Sequence, residues 1–305
     1  MDAPAGILDR SGRGGRLAIS GAEARSALNG IVTNEVETLT PGHGVLAAVL
    51  TPKGKMLGDL RILDTGDELL LDMERPALQP VFDAIRHGLV GYDAELHKRT
   101  LETSLLSLLG PGSRDVAGAP DLPAEELAHA PAQVGGAPVR LIATDLGVDV
   151  LCAAGDAARV HAALVAAGAA EITEAEAEVL RVESGRPRYG VDLDDSVIPQ
   201  EAGLNERAVS FTKGCYVGQE TVARLFYKGK PNRHLRGLRL SEPAGPGAAL
   251  RLGEREVGTL TSSVVSPTLG PIGLALVRRE AEPGAEVELA GSGGVTATVV
   301  ALPFA

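Results

Sequence analysis

At 305 residues the chain exceeds what one ordinary core organises, so two or three domains are expected. Its 44% apolar and 23% charged residues suit a globular chain, and no apolar run reaches the roughly 18 residues needed to cross a bilayer. A formal net charge of −11 counts against nonspecific nucleic-acid binding, which needs cations facing phosphate. Two distant cysteines make no disulfide framework and MDAPAGILDRSGRGG lacks the apolar core of a secretory leader, so cytoplasmic residence without membrane attachment is expected.

In chain order, a short helix is expected over Ala22–Leu28, closed by Gly30, followed by the apolar run Val45–Leu50. TPKGK is a Pro/Gly turn, MLGDLRILD alternates as a strand, and Thr65-Gly66-Asp67 leads into the strand-like LLLDM, together an antiparallel meander. Leu78, Val81, Phe82, Ile85 and Leu89 share one face of an amphipathic helix. SLLSLLG at 104–110 is a strand, and 117–137, rich in Ala, Pro and Gly, is expected to be a surface excursion or linker. VRLIAT and VDVLCAA flank a hairpin turn at Asp145-Leu146-Gly147, and helices follow at about 155–167 and 173–184, the second stopped by Gly185 and Pro187. From Leu235 onward short apolar runs alternate with Gly/Pro turns every 8–12 residues, the spacing of a small β-barrel or sandwich.

The chemistry-bearing candidates are few. Cys215, in FTKGCYVGQE, precedes a potential helix and follows Lys213 by two residues; a helix N-terminus and a cation both favour a thiolate, whereas the alternative is a small buried apolar residue. Cys152 lies in an apolar strand and belongs to a core. With no CxxC and single scattered His residues, no metal site is expected. Glu183 ends a helix, where the dipole opposes a carboxylate; its partner is either Arg186 or Arg188 on the surface, or the amino/amide edge of a heterocycle. Asn34 and Asp59 stand beside apolar strands and either could line a pocket. The segment Arg224–Arg239 is locally basic inside an acidic chain. No phosphate-binding loop or serine-hydrolase elbow is present.

Taken in order, VTNEVETLTPGHGVLAAVLTPKGKMLGDLRI, RVESGRPRYGVDL, IPQEAGL and FTKGCYVGQETVAR, with the β module behind them, resemble the YgfZ-type folate-binding proteins, relatives of the glycine cleavage T-protein (aminomethyltransferase). The specific signature, K-G-C-Y-x-G-Q-E, is filled by Lys213, Gly214, Cys215, Tyr216, Gly218, Gln219 and Glu220. The resemblance implies an α+β, multidomain aminomethyltransferase-like folate-binding fold with a C-terminal β-barrel. Its folate-binding region would be 1–228, made of two α+β subdomains, and its barrel 232–305. It implies tetrahydrofolate or a one-carbon derivative as cofactor and iron–sulfur enzymes (including a tRNA-modifying one) as clients; the chain itself is expected to be a monomer. Glu183 then holds the pterin, Tyr189 and Tyr216 wall it, Asn34 and Arg224 assist, and Cys215, Lys213 and Asp59 carry any chemistry. Gly58-Asp59 stands where the T-protein has an Asp pair, a departure that counts against aminomethyl transfer.

Overall fold

The computed structural model describes residues 5–304 and resolves two compact units. The first draws on the chain up to Leu50, on Leu57–Glu174 and on Arg207–Val217; the second on Thr51–Met56, Ala175–Glu206 and everything from Gly218 onward.

Unit 1 contains β1 (Gly6–Asp9), β2 (Gly14–Ser20), α1 (Ala24–Asn29), β3 (Gly44–Leu50), most of β4 (Met56–Asp64), β5 (Leu69–Glu74), α2 (Leu78–Gly88), β6 (Glu95–Lys98) and β7 (Thr103–Leu109). It continues with α3 (Ser113–Val116), β8 (His129–Val134), β9 (Ala137–Thr144), β10 (Gly147–Ala153), α4 (Ala157–Ala166) and β11 (Ala170–Glu171). The strands form two sheets, one in the order β3-β4-β5-β2-β6 and one in the order β11-β1-β7-β10-β9-β8. The expected meander is the β3-β4-β5 half of the first sheet, and the expected hairpin is β9-β10, with Thr144 opposite Gly147.

Alternation along β4 sorts its side chains. Gly58 faces the start of α2 so closely that a Cβ there would lie 2.5 Å from the Ala77 Cβ, so that face admits no side chain at 58. Asp59 and Arg61, offset by one, point the other way, toward the second sheet. The space between the sheets is filled by Ala18, Leu63 and Leu70 from one and Leu105, Ile142 and Leu151 from the other. The second sheet buries its far face, with Cys152, against Val160 and Leu164 of α4.

Residues 117–137 are not a linker. His129–Val134 is an edge strand paired with β9 from His129↔Ile142 to Val134↔Ala137. Its turn is Gly135-Gly136, both at positive φ (57° and 73°), the pair of left-handed residues that a two-residue hairpin needs. The strand escapes a hydropathy reading because the sequence HAPAQV holds only small or polar inward residues besides Val134. Strands β1, β2 and β6 also lie outside the sequence expectation: β1 and β6 are four residues long and β2 opens on two glycines.

An ion network crosses the gap between the sheets. Arg61 donates to Asp72 Oδ2 on β5 (2.5 and 2.9 Å) and to Asp149 Oδ2 on β10 (2.5 Å), while Ser107 donates to Asp149 Oδ1 (2.5 Å). Burial opposes the Arg61 charge, yet Asp72 and Asp149 outweigh it and raise its pKa. Burial likewise favours neutral Asp149, but Arg61 wins and holds its carboxyl below the ordinary range.

Unit 2 is built on a closed barrel of β12 (Arg233–Leu240), β13 (Ala249–Leu252), β14 (Arg255–Ser266), β15 (Gly270–Arg278), β16 (Glu286–Leu289) and β17 (Thr296–Val300), in the order β12-β15-β14-β13-β16-β17. Its interior holds Leu238, Leu250, Leu260, Val277 and Val299. Helix α5 (Glu174–Glu183) lays Val182 on the opposite wall of β12 and β15, against Leu235, Ile272 and Leu274. Buried Arg181 fixes the helix end by donating to Asp192 Oδ2 (2.7 Å) and Ser262 Oγ (2.6 Å), and Asp192 Oδ1 accepts from Thr261 and Ser262. A turn, α6 (Asn205–Ala208), and helix α7 (Gln219–Lys228) complete the elements. None of the described helices is long and apolar enough to cross a membrane.

Removing one partner of a buried pair strands the other charge, so Asp149→Ala lowers unfolding stability at pH 7 by about 3–5 kcal/mol. Because the native carboxyl titrates below its unfolded value, Asp149 contributes its stability at higher pH and loses it as pH falls through the native pKa. Urea unfolding of both proteins should therefore show the gap closing in acid.

Candidate functional site

The stretch holding Cys215 is laced to the loop that follows α1. Asn34 Nδ2 donates to Arg207 O (3.2 Å), Thr33 Oγ1 to Ala208 O (2.5 Å), Ser210 N to Thr33 O (3.0 Å) and Val217 N to Gly30 O (3.3 Å). At the centre, the Lys213 ammonium donates to three backbone carbonyls, those of Asn29 (2.7 Å), Val32 (2.8 Å) and Asn34 (2.7 Å). These include the last residue of α1, whose carbonyl end attracts a cation. The ring of Tyr216 lies 5.3 Å from the same nitrogen.

Lys213 and Tyr216 are buried, whereas Gly214 and Cys215 between them are exposed. Burial pushes the Lys213 ammonium down to about 8, against the pull of Glu35 and Glu37, and pushes the Tyr216 phenol up to about 12. Helix α7 begins at Gln219, four residues after Cys215 in the chain, as the sequence suggests. The other thiol is different: Cys152 is 4% exposed and burial raises its pKa, which suits a core residue.

The structure brings together Asn34, Lys213, Tyr216 and, on the same loop, Cys215. It also shows that Asn34 is occupied: its amide donates to Leu46 O and Arg207 O, and its Oδ1 accepts from Glu35 N. Asn34 therefore shapes the loop. Thr33 is the residue that sequence reasoning missed here. Fully buried, it accepts from Ala48 N (2.8 Å) while donating to Ala208 O, and nothing in VTNEVE distinguishes it from a turn threonine.

Asp59, also in unit 1, has an oxygen that is sealed from solvent and has no hydrogen-bond partner among the described residues. Loss of hydration raises its carboxyl pKa to about 6, with a further push from Glu74 and only its own backbone N–H opposing. A carboxyl titrating there holds or releases a proton near neutral pH, the property asked of a general acid or base.

The remaining candidates belong to unit 2. Glu183, the last residue of α5, takes its hydrogen bond from Ser266 Oγ, and the N–H groups of Thr268 (3.1 Å) and Leu269 (2.8 Å) donate to that hydroxyl and turn it toward the carboxylate. Arg188 pairs with Glu178 (2.8 Å) rather than with Glu183. The second oxygen of Glu183 makes no hydrogen bond among the described residues, and the side chain is half-buried. Ser266, invisible in TSSVVSP, is the second missed residue.

Tyr189 is buried, its hydroxyl donating to Met56 O (3.3 Å) in the turn that also gives Met56 N to Val197 O (2.9 Å). Arg224 is exposed on α7 with no ion pair among the described residues, and Lys228 and Lys230 beyond it are exposed as well. Gln219 and Glu220 occupy the first turn of α7. No group of three or more His, Cys, Asp or Glu residues able to hold a metal ion occurs among the described residues.

A two-sheet α+β unit, a closed six-stranded C-terminal barrel, and a helix-end glutamate oriented by the barrel define a class, the aminomethyltransferase-like fold. The chain belongs to the glycine cleavage T-protein family: the GCVT N-terminal domain matches residues 2–213 and the glycine cleavage T-protein C-terminal barrel domain matches 233–305. It is 31% identical to an aminomethyltransferase of Rubrobacter xylanophilus, over 98% of this chain and 83% of that protein. It is 28% identical to a putative chloroplastic transferase of Arabidopsis thaliana, over 88% of this chain and 64% of that longer protein. The solved glycine cleavage system aminomethyltransferase T of Bartonella henselae shares the fold, with a TM-score of 0.87 at 23% identity, covering 100% of this chain and 87% of that one.

A carboxyl with a raised native pKa stays neutral until pH passes about 6, and its ionisation then costs folding free energy. Asp59→Asn should therefore stabilise the protein at pH 7 by about 2–3 kcal/mol, a gain that shrinks as pH falls below about 6 and nears zero only as pH drops through about 4, where the unfolded carboxyl takes up its proton as well. Thermal melts of the two proteins from pH 4 to 8 measure it, and an Asn variant less stable at pH 7 would contradict the assignment.

Proposed function

We propose that this protein is a YgfZ-type tetrahydrofolate-binding accessory factor for the assembly or repair of iron–sulfur enzymes, including tRNA-modifying ones, with Cys215 as its functional thiol. The observation that carries the reading is the exposure of Cys215 between two buried anchors, Lys213 and Tyr216. Most free cysteines are buried and inert, as Cys152 is. Here the chain spends a buried ammonium and three carbonyls on holding the neighbour of an exposed thiol in place. In this reading Lys213 is a positioning residue.

Tetrahydrofolate fits the donor set. The open oxygen of Glu183, with its other oxygen held by Ser266, suits the amino/amide edge of a pterin, and the exposed cations Arg224, Lys228 and Lys230 suit a glutamate tail. When bound, the folate would supply a one-carbon carrier. In this reading 1–228 forms the ligand-binding region, and the barrel of 232–305 contributes Ser266, which orients Glu183.

Cys215→Ala should abolish complementation of a strain lacking the protein while leaving its thermal melt and folate binding unchanged; full complementation would end the functional-thiol claim. Lys213→Met, which keeps the length but leaves three carbonyls unpaired, should lower complementation as well and cost about 2–3 kcal/mol of stability.

A second reading is favoured by Asp59. Its unpartnered buried oxygen and its pKa near 6 suit proton transfer in an aminomethyltransferase-like one-carbon reaction. Formation of methylenetetrahydrofolate from an aminomethyl donor, lost in Asp59→Ala and rising in wild type as pH passes about 6, would select it. Absence of turnover at every pH would remove it.

A further inference from the structure

Unit 1 carries a cleft of about 340 Å³ that shares no residue with the groups discussed above. It opens at the edge of the first sheet, where β6, the last strand of the order, pairs with β2 and places Lys98 opposite Leu17. Helix α2 covers the sheet beside this edge so tightly that a Cβ on Gly15 would lie 2.8 Å from Leu78 Cβ, but it leaves the strand end open. The floor and walls are Leu17, Leu78, Phe82 and Leu101.

Leu101 is the unusual wall. It is 87% exposed, at the tip of the connection from β6 to β7. That connection is pinned by fully buried Arg16. Its N–H and C=O bond Thr100 Oγ1 (2.9 and 3.0 Å), its C=O accepts from Arg99 N (2.9 Å), and its guanidinium donates to Thr103 Oγ1 (2.7 Å) and Thr103 O (2.9 Å). The leucine is thus held in water, facing a gap, by a turn whose flanking residues Arg99, Thr100 and Thr103 are tied to Arg16. A wall fixed before binding lowers the ordering cost that a ligand would otherwise bear.

The cleft is also charged in one sense. Its two cations, Arg75 and Lys98, pair with no carboxylate among the described residues, and Lys98 instead stands 4.7 Å over the Phe82 ring. Its one carboxylate, Glu102, already accepts from Arg99 (2.9 Å), and Gln79 donates to Asp83 (3.0 Å). Uncompensated cations beside an apolar floor, in a chain of net charge −11, select an anion with an apolar body. The volume falls at the lower end of the roughly 300–1,000 Å³ of small-molecule sites.

We propose that this cleft is a second ligand site, independent of the folate and thiol reading, that takes a small amphipathic carboxylate: apolar body along Leu17, Leu78, Phe82 and Leu101, carboxylate toward Arg75 and Lys98. Calorimetric titration of the full chain with octanoate tests it. One-to-one saturable binding is expected, at least fivefold tighter than 1-octanol. Leu101→Asp and the double variant Arg75→Glu/Lys98→Glu should each weaken it tenfold or more. All three positions are exposed, so thermal melts should match wild type. No saturable octanoate binding, equal affinity for 1-octanol, or an affinity indifferent to Leu101→Asp would each overturn the proposal. Capture of an acidic amphipathic peptide in place of octanoate would overturn the small-molecule occupant. None of these results bears on Cys215, which complementation tests separately.

Discussion

Arg61 sits between two carboxylates from different sheets, and the geometry of the first unit depends on that placement. A guanidinium is planar and forked, so reaching Asp72 along one edge and Asp149 along another fixes the distance and the twist between β4 and β10 at one point. Aliphatic side chains, mostly leucine, fill the rest of the gap, and their contacts carry no direction of the kind an ion triad imposes. The same strand carries Asp59 two residues earlier and on the same face, so the arginine that aligns the sheets also sets the position of the carboxyl with the displaced pKa.

A second polar device works at short range. Lys213 brings a full charge to three carbonyls that α1 and its following loop leave without partners. Threonine and asparagine complete the lacing with side-chain hydrogen bonds to backbone, so the loop bearing Cys215 keeps its shape without belonging to a sheet or helix. The two candidate chemistries thus rest on opposite treatments of charge. Lys213 is buried and fully partnered, while Asp59 is half-buried with one oxygen sealed from solvent and unpartnered.

Much of this was legible beforehand, for physical reasons. Helices with a clean apolar face (Leu78–Gly88) and strands with strict alternation (Met56–Asp64) announce themselves because one face is buried and the other is not. The barrel showed through its turn spacing. Strand His129–Val134 did not, because its inward residues are too small to register as apolar. Cys215, Lys213 and Glu183 stood out by residue type and context, but the partners that give them meaning, Asn29, Val32 and Ser266, act through a backbone carbonyl or one hydroxyl. Those groups exist at almost every position, and only the fold says which are used.

The contrast between the two cysteines has a practical side. With Cys152 sealed in the core behind α4 and Cys215 in solvent, the folded chain offers one addressable sulfur. A maleimide dye or spin label therefore reports from a single place without any cysteine having to be engineered away. Air oxidation, for the same reason, stops at a symmetric pair of chains and builds no longer polymer.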